Sequence, residues 1–100
     1  MTPEELHASL AQASPPPSLT VPLAALWWAA KGEWDHAHRL VQAESSPEAA
    51  WVHAYLHRGE GDLDNARYWY GQAGRPPSSA SRDAEWEAIG TQLLTASRTK

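Results

Sequence analysis

The chain has 100 residues, enough for one domain (1–100) with one modest core, and it carries a formal net charge of −4. That balance argues against a nucleic-acid or anionic-membrane partner, each of which favours a basic patch. The absence of cysteine excludes disulfides, thiolate metal sites and cysteine nucleophiles.

No run approaches the roughly 18 apolar residues of a membrane span. Met1-Thr2-Pro3-Glu4-Glu5 is acidic, with no apolar signal stretch after it, so a cytoplasmic location is expected. The aromatic set is unusual: 6 Trp and 3 Tyr against no Phe. Indole and phenol groups join a large apolar face to a polar edge, which suits both a small core and a partner-binding face.

In chain order, Thr2-Pro3-Glu4-Glu5 reads as a helix start, with a capping hydroxyl, a proline at the first position and two dipole-matching acids. Leu6, Leu10 and Ala13 share a stripe, and Ser14-Pro15-Pro16-Pro17-Ser18 closes this first flanking helix, residues 1–13. A second helix is expected from Pro22 to Lys31. It is apolar on all sides, including Trp27 and Trp28, and so should be buried. Gly32 ends it, and a third helix follows from Trp34 to Ala43, with Trp34, Ala37, Leu40 and Val41 on one stripe.

Ser46-Pro47-Glu48 starts a fourth helix that reaches Arg58. Gly59-Glu60-Gly61 breaks it, and Asp62 caps a fifth helix whose face is Leu63, Ala66, Trp69, Tyr70 and Ala73. Gly74 to Ser79 is a loop. A last flanking helix, 82–97, places Trp86, Ile89, Leu93 and Leu94 at helical spacing, with Gly90 weakening it slightly; Ser97–Lys100 should fray. No segment alternates with a period of two. The expected fold is all-α, with five to six short helices.

Two segments align without a gap at an offset of 29 residues, Gly32 on Gly61. Glu33 then matches Asp62, Trp34 matches Leu63, Asp35 matches Asp64 and Ala37 matches Ala66. The physical reading is a repeated helix-turn-helix: glycine permits the left-handed turn, the acid caps the next helix, and the small alanine allows close approach. This Gly-acid-apolar-Asp-x-Ala pattern resembles the turn of tetratricopeptide-like repeats, although the offset is shorter than the family period of about 34 residues.

The resemblance covers residues 22–73 and implies two antiparallel hairpins between capping helices. It also implies a protein or peptide interaction module, whose partner could be a second copy of the chain. Separately, Ala50 to Pro76, with Ala54-Tyr55-Leu56-His57-Arg58 and Asn65-Ala66-Arg67-Tyr68-Trp69-Tyr70, resembles a segment of small uncharacterised microbial proteins; it implies no activity.

For chemistry, His53 and His57 stand four apart and project from one side of a helix. Two such imidazoles can chelate zinc, nickel or copper, with Glu60, Asp62 or Asp64 near enough in sequence to complete a set. His36 and His38 diverge on their helix and are no ready chelate. The bland reading of His53 and His57 is two surface or helix-end histidines, and the sequence assigns no metal and no cofactor.

Tyr68 faces away from the apolar stripe of its helix, with Asn65 and Gln72 on its side and Arg58 and Arg67 near in sequence; that combination suits a recognition patch. The candidate binding residues are therefore Trp51, His53, His57, Arg58, Arg67 and Tyr68. No nucleophile elbow, phosphate loop or dinucleotide fingerprint occurs, and no catalytic residue is assigned. The alternative to an interaction module is a small-molecule or metal-binding protein that uses His53, His57, Arg58 and Tyr68.

Overall fold

A computed structural model describes residues 1–98, with side chains to Ala96. Among the described residues there are six α-helices and no strand: α1 Pro3–Ala8, α2 Val21–Ala30, α3 Trp34–Gln42, α4 Pro47–Gly59, α5 Leu63–Ala73 and α6 Arg82–Arg98. The all-helical expectation holds. None of these helices is long and apolar enough to cross a membrane.

Local chemistry accounts for most ends. At α1, Glu5 N–H donates to Thr2 Oγ1 and the Glu5 carboxylate accepts from Thr2 N–H, a complete capping box. Ser46 Oγ accepts from Ala49 N–H at 3.0 Å to open α4, and Asp62 accepts from Asn65 N–H to open α5. Glu33, expected to cap α3 in the same way, makes no side-chain cap bond. Its side chain is one methylene longer than the aspartate that reaches the amide in the second turn.

α1 is shorter than its stripe suggests. It gives way to a 3-10 turn at Ser9–Ala11, where Ser9 Oγ donates to Leu6 O and accepts the Trp27 indole N–H at 3.0 Å. α6 runs to Arg98, past the point where fraying was expected to begin; the rest of that expectation, at Thr99 and Lys100, lies outside the described residues.

The repeated turns are the same object. After α2, Glu33 N–H bonds Trp28 O and Gly32 N–H bonds Ala29 O, with Gly32 at φ +80°. After α4, Asp62 N–H bonds His57 O and Gly61 N–H bonds Arg58 O, with Gly61 at φ +83°. Both are Schellman turns with glycine in the left-handed position. They fold α2 onto α3 and α4 onto α5, the two most extensive helix pairings in the molecule.

α4 lies at the centre, packed by α2, α3, α5 and α6, and every residue from Ala49 to His57 is buried. Three indole N–H groups tie the layers: Trp27 to Ser9, Trp34 to Leu56 O at 3.0 Å, and Trp86 to Leu26 O at 2.8 Å. Phenylalanine would bring a smaller ring and no donor, which gives a reason for tryptophan at these places. Gly90 is buried because α6 crosses closely; a methyl there would stand 3.2 Å from Leu6 Cδ2. Trp28, expected to be buried on the all-apolar second helix, is half-buried and stacks on His36 of α3, ring centroids 4.3 Å apart.

These backbones give opposite signs for similar substitutions. Gly32→Ala and Gly61→Ala should each lower the urea unfolding free energy by about 1–2 kcal/mol, because alanine resists the left-handed region. Gly71→Ala, at an exposed α5 position with nothing within 4 Å of the new methyl, should raise it by about 0.5–1 kcal/mol. Equal effects at all three sites would contradict the turn assignment.

Candidate metal centre

Trp34 opens α3 and His38 lies one turn further on the same face. The Trp34 ring stacks on the His38 ring at 4.6 Å while its N–H holds Leu56 O of α4, so one residue both orients the imidazole and docks the helix that faces it. On α4, His53 and His57 point the same way, their rings stacked at 5.0 Å. Trp69 of α5 closes the other side, lying flat on His53 at 3.9 Å.

The three imidazoles of His38, His53 and His57 therefore converge between two indole planes. Each offers a nitrogen, and the three nitrogens lie within 4.8 Å of one another. His53 and His57 are only 4% and 7% exposed, and His38 is half-buried. His38 Nε2 and His53 Nε2 are hydrogen-bonded at 2.9 Å, one donating to the other. His57 Nδ1 is 3.3 Å from a Glu60 carboxylate oxygen.

Burial holds the His53 ring well below its ordinary pKa, at about 4, and the neighbouring His38 and His57 rings add to the shift. His38 is also lowered, first by burial and then by His57, against the opposing pull of Glu60 and Asp35. Both rings are neutral near pH 7 and keep a lone pair.

A tetrahedral zinc site with Zn–N bonds near 2.0–2.1 Å separates its nitrogens by about 3.3 Å. The widest separation in the triad must close by up to about 1.5 Å to reach that spacing. For His38 and His53, whose rings are neutral, coordination asks for a change of tautomer and not for deprotonation. With Nδ1 of His57 turned to Glu60, its Nε2 is left as the donor, the arrangement in which a carboxylate orients a metal-binding imidazole.

The triad opens into a groove of about 730 Å³ between α3, α4 and α5, whose wall includes Tyr68, Trp69, Asn65 and Gln72. Of the residues singled out from sequence, His53, His57 and Tyr68 meet there, and Tyr68 is 58% exposed as its helical position implied. The other three lie elsewhere. Trp51 is buried under the Arg75 guanidinium, 3.6 Å from ring centroid to Cζ. Arg58 pairs with buried Glu85 at 2.7 Å and also reaches Ala80 O, fastening α6. Arg67 is an exposed partner of Asp64.

His38 is the residue that sequence reasoning passed over. His36 and His38 do diverge, but the partner of His38 comes from the next helix. The available signal was its place four residues after Trp34 and three before Val41, on the edge of the α3 apolar stripe. No family model, curated protein or solved structure matches this chain.

The lowered imidazoles fix the sign of one measurement on the metal-free protein. The unfolded chain takes up these protons near pH 6.5 and the folded chain only in stronger acid. The neutral rings therefore contribute stability that is whole above about pH 6.5 and lost as pH falls from there towards 4. Between pH 7 and pH 5 the unfolding free energy should drop by roughly 2 kcal/mol through His53, with a further loss in the same direction through His38. His53→Gln should flatten that slope.

Proposed function

We propose that this chain binds a divalent transition metal, zinc in the first place, through His38, His53 and His57. The observation that carries the reading is the convergence of two buried imidazoles and one half-buried one, from two helices, with their nitrogens within 4.8 Å. Imidazole donors suit zinc, nickel and copper, and the three-nitrogen set favours a tetrahedral ion. The stacked Trp34 and Trp69 restrict ring rotation, so little conformational freedom is left to lose on binding.

The helical-hairpin interaction module remains a second reading. It has in its support the two matching Schellman turns, the groove, and the exposed Tyr68 and Leu63. The two readings are compatible, since the triad opens into that groove. Nothing in the arrangement assigns a catalytic residue.

Titration of the metal-free protein with zinc, followed by calorimetry, should give one ion per chain. At zinc concentrations about 100 times Kd, the unfolding free energy should rise by about 2.7 kcal/mol. His38→Ala, His53→Ala and His57→Ala should each weaken zinc binding, and Glu60→Gln should weaken it by about tenfold or more through the orientation of His57. His36→Ala should change nothing, because His36 stacks on Trp28 outside the triad. Absence of stoichiometric zinc, or equal loss in His36→Ala, would remove the proposal.

A further inference from the structure

Among the described residues the metal-ligand group holds three donors, His38, His53 and His57. A tetrahedral ion keeps a fourth position, and a site of three protein ligands is the open kind. All three imidazoles line the groove, so that position faces it.

The walls of the groove constrain what can enter. They carry no lysine or arginine, so positive charge at this site would come from the metal alone. The amides of Gln42, Asn65 and Gln72 offer paired donors and acceptors of the kind that read a peptide backbone. The one carboxylate on the wall belongs to Glu44, held by the Ser46 hydroxyl at 2.8 Å. Ser46, which holds the acid, caps α4 and His53 lies seven residues on, so the helical rise sets these two positions roughly 10 Å apart along the groove. The groove therefore has an anion-seeking end and a cation-seeking end. An extended chain of three residues spans roughly the same distance.

We infer that the groove takes a short unblocked peptide, two or three residues long, with its C-terminal carboxylate as the fourth ligand of the metal and its N-terminal ammonium at Glu44. This inference rests on the metal reading above. On a zinc or cobalt ion held by the three imidazoles, a peptide carboxylate would take the place of a water. The peptide amides meet the amide side chains, and Trp69 and Tyr68 flank its body. The empty cationic register of the walls disfavours phosphate-bearing ligands, which seek arginine and lysine.

The test uses the cobalt-loaded protein, whose visible absorption reports the ligands around the ion. Trialanine should change that spectrum saturably, with the cobalt retained on ultrafiltration, and should bind at least about tenfold more tightly than acetate. C-terminal amidation should abolish the spectral change. N-terminal acetylation should weaken binding several-fold, and Glu44→Gln should erase the difference between the free and the acetylated peptide. A cobalt band that ignores trialanine at 10 times the concentration at which acetate acts overturns the inference and leaves the metal reading standing; so does stripping of the cobalt by the peptide. Equal affinities for acetate and trialanine, with no effect of Glu44→Gln, overturn it as well. No cobalt band at all, in protein that remains folded by circular dichroism, overturns both.

Discussion

The position of α3 against α4 is set in large part by one side chain. Trp34 gives its indole N–H to Leu56 O, where the α4 backbone approaches its C-terminal end, and lays its ring on His38. The bond fixes how far α3 can slide along α4, and the stacking fixes where the His38 imidazole points. His53 and His57 come with α4 itself and need no further device than their spacing of four. A phenylalanine at position 34 would keep the stacking but drop the anchor, and the register between the helices would rest on apolar packing alone, which is not directional.

The rest of the molecule supports that junction from outside. α4 is buried along nearly its whole length, so its polar residues must be ones that tolerate burial. Neutral imidazole does, since it can both donate and accept a hydrogen bond without carrying charge. On the opposite side, Glu85 is 3% exposed and would be costly if left alone. It accepts from the Arg58 guanidinium and from the Tyr70 hydroxyl, and so fastens α6 to both helices of the second hairpin. The Tyr70 hydroxyl is thereby held protonated, by burial first and by the Glu85 carboxylate next. Arg58 thus belongs to the scaffold under the site.

Much of the fold was legible in the sequence because its signals are local. Helix starts at Pro3, Pro47 and Leu63 and the left-handed glycines at 32 and 61 depend on neighbours within a few residues, and these are where expectation and structure agree. The site was legible only by halves. His53 and His57 share a helix, and spacing finds them. His38 joins them across an interface, and no count along one helix can show that. Trp51, Arg58 and Arg67 lie away from the triad: nearness in sequence grouped residues that the α4 and α5 surfaces send to different sides.

The two Schellman turns make the hairpins alike, but the donors are not shared alike between them. One comes from the first hairpin and two from the second, so the triad belongs to the seam. Neither hairpin contains a complete set. The distance between the imidazoles is then a gauge of how the hairpins sit, and an ion held by all three would act as a rivet across the seam that residues 43–46 connect at one end. With such an ion bound, rigidity between the hairpins and occupancy of the triad would become a single property, with the groove as the face on which a change in either would be felt.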